Sequence, residues 1–181
     1  MATEVVILQR DCMATTVPAG EMVLLSEGGV VGIVQRLGGS VTVRTELGSL
    51  LRIDGADADA LGLDPVEAPG SGGADDEPFS MDRVHEALRQ VYDPEIPVNI
   101  VELGLVYRCE EKAGPLDTRR IEIDLSMTAP GCGMGDVLRA DAARSVLAVP
   151  GVDDVEVELV WDPPWSIARM SDEAKLQLGF Y

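Results

Sequence analysis

Cys132 stands between Gly131 and Gly133 in the stretch Met127-Thr128-Ala129-Pro130-Gly131-Cys132-Gly133-Met134-Gly135, after a strand-like run and before a helix-like run. The flanking glycines remove side-chain bulk, so a metal, a sulfur atom or a partner can approach the thiol closely. The helix that follows presents unpaired backbone N–H groups and a partial positive charge, which favour thiolate over thiol. A thiolate here serves either as a soft metal ligand or as a nucleophile. Nucleophilic work normally needs a nearby base, most often histidine. The chain has one histidine, His85, on a helical stretch beside Glu86. A carboxylate activates a thiol poorly, so ligand chemistry is the stronger reading and an enzyme is not expected. One cysteine cannot close a four-ligand iron–sulfur or zinc site. A metal held through Cys132 alone is therefore held at an open, labile site, or its remaining ligands come from a second copy of the chain or from another thiol.

The elements that must position this residue follow from periodicity. Ser80 caps a helix carrying Val84, Leu88 and Val91, and Asp93-Pro94 ends it. Residues 101–107 read as a first strand. Ile121, Ile123 and Leu125 alternate with Glu122 and Asp124 as a second strand. Leu138, Ala142, Val146 and Val149 form one stripe of a helix. Val155, Val157 and Leu159 alternate with acids as a third strand, and Ser171 caps a terminal helix. The order is α-β-β-α-β-α. A short link makes the first two strands an antiparallel hairpin, and the crossover helix makes the third parallel to the second. The entry of the first strand and the exits of the other two then lie at one end. That geometry gathers Asp93, Glu95, Thr128, Cys132 and Asp162. It sends Cys109 toward the hairpin end, as a structural thiol.

Residues 1–63 differ in kind. Short β-branched runs at 5–8, 22–25, 30–34 and 41–43 are punctuated by glycines, which predicts a small all-β barrel or sandwich. The acids at Asp54, Asp57 and Asp59 lack the spacing of a calcium loop and read as a closing turn. Residues 64–79, rich in Pro, Gly, Ala and acid, read as a flexible linker. The fold class is thus α+β: a small β domain over 1–63, the linker, and an α/β domain over 80–181, with separable halves.

Composition excludes several functions. With 14 basic and 32 acidic residues the net charge is -18, so nucleic acid and anionic membrane surfaces are not partners. No apolar run approaches the roughly 18 residues of a membrane helix, and no leader is visible at Met1. Three cysteines with no C-x-x-C pair fit a reducing, cytoplasmic setting.

The run Asp93-Pro94-Glu95-Ile96-Pro97-Val98-Asn99-Ile100-Val101-Glu102-Leu103-Gly104-Leu105-Val106 resembles the opening signature of the metal–sulfur cluster biosynthesis, or MIP-eighteen-like, family. Residues 127–132 resemble its cysteine motif. Asp162-Pro163-Pro164-Trp165, with Arg10-Asp11-Cys12, Gly38-Gly39-Ser40 and residues 52–58, resemble the family's long bacterial form. The resemblance implies an iron–sulfur cluster assembly or maturation factor, a carrier or accessory protein partnered by the assembly machinery and apo client proteins. A metal-free adaptor that docks clients is the alternative. By the same resemblance Cys132 is the reactive residue and cluster or metal ligand, with Thr128 its motif threonine and Asp93 and Glu95 the acidic pair. Glu102 belongs to the same signature. Cys12 is a candidate second site. No cofactor is expected to be tightly bound, only a transient cluster or iron.

Overall fold

The computed structural model describes residues 4–65, 78–129 and 133–180. The first part is a six-stranded antiparallel sheet: β1 Glu4–Ile7, β2 Cys12–Val17, β3 Met22–Leu25, β4 Val30–Leu37, β5 Ser40–Thr45 and β6 Leu50–Asp54. Its strand order is β1-β4-β5-β6-β2-β3. The β4–β5 hairpin closes through Gly38 and Gly39, at φ 64 and 71. Two consecutive residues with positive φ make the type I′ turn that matches strand twist. The β-branched runs predict four of these strands; β2 and β6 are found only in the structure. In β2 the buried residues include small Cys12 and Ala14, and in β6 a charged residue, Arg52, interrupts the apolar run.

One face of this sheet packs Ala14, Val41, Val43, Leu51 and Ile53 against a 3-10 turn, Gly55–Leu61. Asp54 caps that turn by accepting from the Ala56 N–H (3.1 Å). Asp57 and Asp59 hold the Arg10 guanidinium, at 2.8 and 2.5 Å. The acids of this segment are thus ion-pair and capping residues.

The second part runs α1 Met81–Leu88, β7 Val106–Ala113, β8 Arg119–Leu125, α2 Gly135–Leu147, β9 Asp154–Leu159 and α3 Asp172–Leu178. β7 pairs antiparallel and β9 parallel with β8, so β8 is central. Ser80 and Ser171 cap α1 and α3 through their hydroxyls. Val84, Leu88, Val91, Leu138, Ala142 and Val146 pack with Ile121, Ile123 and Leu125 in one core.

The first strand of this part lies later than its sequence suggests. Residues 101–105 form turns, and the ladder starts at Val106. Asn99 decides this: its Oδ1 accepts from the N–H groups of Val101 (3.1 Å) and Glu102 (2.9 Å), and its carbonyl accepts from Leu103 N (3.0 Å). An Asx side chain that satisfies successive N–H groups offers the backbone an alternative to a ladder. Ile100, Leu103 and Leu105 are buried by the turn instead of by a strand face.

The second face of the first sheet rests on the second part. Thr42, Arg52 and Thr15 lie in register across β5, β6 and β2. Arg52 pairs with Asp141 of α2, and Arg144 bridges Asp141 (2.8 Å) and Asp54 (3.2 Å). Thr42 Oγ1 donates to the Pro94 carbonyl (3.5 Å), and Gln35 Nε2 to the Asp93 carbonyl (3.3 Å). Val17 belongs to the second core. The halves are therefore joined by more than the chain between them, and free separability gives way to a different expectation. A site-specific protease sequence placed between residues 66 and 77, once cut, should leave two pieces that co-elute at native mass. Pieces that separate in buffer without denaturant would show that this interface is too weak to hold them.

Candidate functional site

The end of the second sheet is where three chain segments meet. Val106 opens β7 opposite Leu125, the last residue of β8, which in turn pairs with Leu159 at the end of β9. Two main-chain bonds extend this junction: Ser126 N to Leu105 O (2.8 Å) and Val160 N to Leu125 O (2.9 Å). The chain leaving β8 passes through buried Met127, half-buried Thr128 and exposed Ala129. Cys132, with Pro130 and Gly131, lies outside the described residues. The chain resumes at Gly133, and α2 starts at Gly135 with Met134 at its N-cap and no side-chain cap. Uncapped N–H groups at a helix start favour a nearby negative charge.

Gly133 has a reason of its own to be glycine. A Cβ built on it would overlap the Ala19 carbonyl, and one built on Gly20 would overlap the Gly133 carbonyl. The backbone of the β2–β3 turn thus lies directly on the residue that follows Cys132. Close backbone approach of this kind is open only to glycine.

Asp93 is 4% exposed and organises its own loop. Its Oδ1 accepts from the N–H groups of Glu95 (2.8 Å) and Ile96 (2.9 Å). A bridge between Tyr92 and Asn99 and a bond from Asp93 N to Val98 O (3.2 Å) close the loop below. Burial pushes the Asp93 carboxyl above the ordinary aspartate range, against the pull of the two N–H groups. The exposed Glu95 is also raised, first by desolvation and then by the charge of Asp93. A buried carboxyl with a raised pKa stabilises the fold fully below its unfolded value, about 3.9, and that contribution is lost as pH rises through the folded value. Asp93→Asn keeps an acceptor oxygen and is expected to flatten this slope at little cost, whereas Asp93→Ala leaves two N–H groups unpaired and costs roughly 1–3 kcal/mol. Urea melts of both variants across pH 3–7 check this; an unchanged slope in Asp93→Asn would be the contrary result.

The other expected residues are spread over different neighbourhoods. Asp162 is exposed on the loop after β9. That loop is fastened at the same sheet end, where the Tyr107 hydroxyl donates to Pro163 O (2.9 Å) and Trp165 Nε1 donates to Leu103 O (2.8 Å). Trp165 packs on the core, while Trp161 is 45% exposed. Glu102 faces elsewhere. It pairs with Arg89 (3.6 Å) and lines a cavity of about 480 Å³ with Glu173 and Gln177 of α3. Asp93, Thr128 and Asp162 do not line that cavity. Cys12 is 4% exposed in the core of the first sheet, and burial with the charge of Asp57 pushes its thiol up. Cys109 lies mid-strand opposite Ile123, not at the hairpin end, and burial pushes it up to about 11. Among the described residues no three His, Cys, Asp or Glu side chains are grouped to hold a metal ion. Nor is any described helix long and apolar enough to cross a membrane.

The network Arg52–Asp141–Arg144–Asp54 escaped sequence reasoning. Its one signal was a charged residue inside the apolar run Leu50-Leu51-Arg52-Ile53.

Comparison with known proteins bears on the second part of the chain. Residues 81–159 match the family model for an iron–sulfur cluster assembly protein. The chain is 42% identical over 93 residues to an Fe-S protein maturation auxiliary factor of Porphyromonas gingivalis, covering 51% of this chain and 85% of that one. It is 42% identical over 90 residues to the Fe-S protein maturation auxiliary factor SufT of Staphylococcus aureus, covering 49% of this chain and 97% of that one. An iron-sulfur cluster carrier protein of Deinococcus radiodurans is 34% identical over 77 residues, 42% of this chain and 21% of that protein. The six-stranded sheet, which ends at Asp54, lies outside the span of the family model.

Proposed function

Because the chain belongs to the iron–sulfur cluster assembly protein family and serves iron–sulfur protein maturation, we propose that it acts through Cys132 as an accessory factor offering one thiolate to a cluster or iron in transit. The observation that carries this reading is the position of Cys132 in the chain. In the chain it stands between the exit of β8, where three segments meet, and the uncapped N-terminus of α2, which starts three residues on. A helix start without a side-chain cap favours the thiolate form of a neighbouring cysteine. Cluster or iron is cargo, not a resident group, since one thiolate leaves most of the ligand set to others. Those others are thiols of the client or of the assembly machinery, or Cys132 of a second copy. Glu95 and Asp162, both exposed, and Thr128, half-buried, are proposed as the supporting residues of the site. Asp93 supports it by shaping the Glu95 loop. No catalysed bond-making step is needed for transfer between thiolates, so the role is that of a factor and not an enzyme. The division into a β domain over 1–63, a linker over 64–79 and an α/β domain over 80–181, in a reducing cytoplasm, belongs to the same proposal.

Anaerobic reconstitution of the full chain with iron and sulfide tests it. A carrier develops sulfur-to-iron charge-transfer absorbance that depends on Cys132, and passes it to an apo client. Colourless protein that still binds the client supports the metal-free adaptor instead. Alkylation at neutral pH is a second readout. Cys132 is expected to react first, because Cys12 and Cys109 are held protonated; faster labelling of either would remove Cys132 from its role.

A further inference from the structure

One sheet outside the family span touches the acidic segment and the residue that follows the cysteine motif. Its strands β4 and β5 hold the acidic segment, through Gln35 on the Asp93 carbonyl and Thr42 on the Pro94 carbonyl. Its β2–β3 turn lies backbone to backbone on Gly133, directly after Cys132. Its strand β6 clamps the helix that continues from the cysteine loop, through Arg52 on Asp141 and Asp54 on Arg144. Asp141 is six residues beyond the start of α2, about 9 Å along the axis. The segment that follows Cys132 is therefore held at two heights, at Gly133 and at Asp141, by the same sheet that holds the acidic loop. The Arg52–Asp141 contact is buried on both sides and bridged further by Arg144. Separating a buried pair of this kind leaves an uncompensated buried charge, so the pair ties β6 to α2. The two glycines add a steric condition, since this docking leaves no room for a Cβ at either position.

We infer that the N-terminal sheet is a positioning platform for the start of α2, the segment directly after Cys132, with Gly20 and Arg52 as its positioning residues. It sets the spacing between that helix start and the loop shaped by Asp93. The inference rests on the reading of Cys132 as the working thiol, but its test does not. Alkylation reports on the loop whether or not Cys132 handles iron. A Cys132→Ser chain that still matures clients would remove the functional reading and leave the present test standing.

The test follows alkylation of Cys132 in the full, reduced chain by mass spectrometry, with the slow thiol Cys109 as internal reference and thermal melting as the check on folding. Gly20→Ala is compared with Gly28→Ala, which has a similar φ (82 against 76) but open space around its Cβ. Gly20→Ala is expected to change the Cys132 rate roughly fivefold or more and Gly28→Ala less than about twofold, since only the first displaces a neighbour of the reactive thiol. Arg52→Asp and Asp141→Arg should each shift the rate, and the double variant should bring it back toward wild type, which a merely structural loss would not do. Gln35→Ala, the mildest change, keeps the question open to measurement if the charge variants unfold, and should shift the rate about twofold. A Cys132 rate that stays at the wild-type value in folded Gly20→Ala and Gln35→Ala chains would overturn the inference, as would equal effects of Gly20→Ala and Gly28→Ala.

Discussion

Cys132→Ser is expected to abolish the maturation of apo iron–sulfur clients by this chain while leaving its melting temperature near wild type. A serine hydroxyl is not ionised at neutral pH, and iron in clusters is held by thiolate. The other two thiols cannot stand in. Cys109 is partly buried with its pKa pushed up to about 11, so roughly one molecule in 10⁴ carries that thiolate at pH 7. Cys12 is sealed in the first core and also raised. Loss of the ligand itself should exceed the roughly 10–100-fold cost of losing an outer-shell partner of a metal site. The measurement is activation of an apo client by wild-type and Cys132→Ser chains carrying equal iron and sulfide. A variant within about threefold of wild type, against that 10–100-fold benchmark, would mean that the thiol is not the working group.

Gly104→Ala is expected to be among the most destabilising single changes that add only a methyl group. Gly104 has φ 68, and a Cβ there would overlap the carbonyl of Arg169. Left-handed backbone costs a residue with a Cβ about 1–2 kcal/mol, and forcing atoms into a packed neighbour adds about 1–3 kcal/mol. The segment it would displace is held by several contacts. Arg169 lies over the Tyr107 ring at 3.7 Å, and its Nε donates to Gly104 O (3.4 Å). Ser171 N donates to Glu102 O (2.9 Å) just beyond. A total of roughly 2–5 kcal/mol would lower the melting temperature by about 5–15 °C in a chain of this size. Gly28→Ala, with nothing within 4 Å of its Cβ, should cost only the backbone share. Melting curves of the two variants decide the matter, and equal losses would refute the packing role. The glycine of this signature stretch is then a folding requirement and not part of the chemistry.

Much of the second part of the chain was legible because its cues are local. Serines that cap helices, a 3.6-residue stripe through Leu138, Ala142 and Val146, and strict alternation at 121–125 and 155–159 each act within a few residues. The cysteine motif and the acidic loop were legible as motifs for the same reason, and so was the family they point to. Residues 101–105 misled because their apolar content suits a strand, while the deciding group was one side-chain oxygen, on Asn99. β2 was missed because small and polar residues pack where an apolar alternation was sought.

By itself, then, the sequence determined the α+β class, most of the helices and strands around the site, the candidate thiol and the strongly acidic charge. All of these depend on residue type and on spacing along the chain. Only the tertiary structure decided that the first sheet sits on the acidic segment and on the start of α2, that Glu102 faces α3, and that Gly133 is glycine because the β2–β3 turn lies on it. Arg52 and Asp141 are 89 residues apart in the chain, and no periodicity links them. Each could satisfy its charge in water just as well. Burial removes that option, and only the folded arrangement brings the partner that makes burial tolerable.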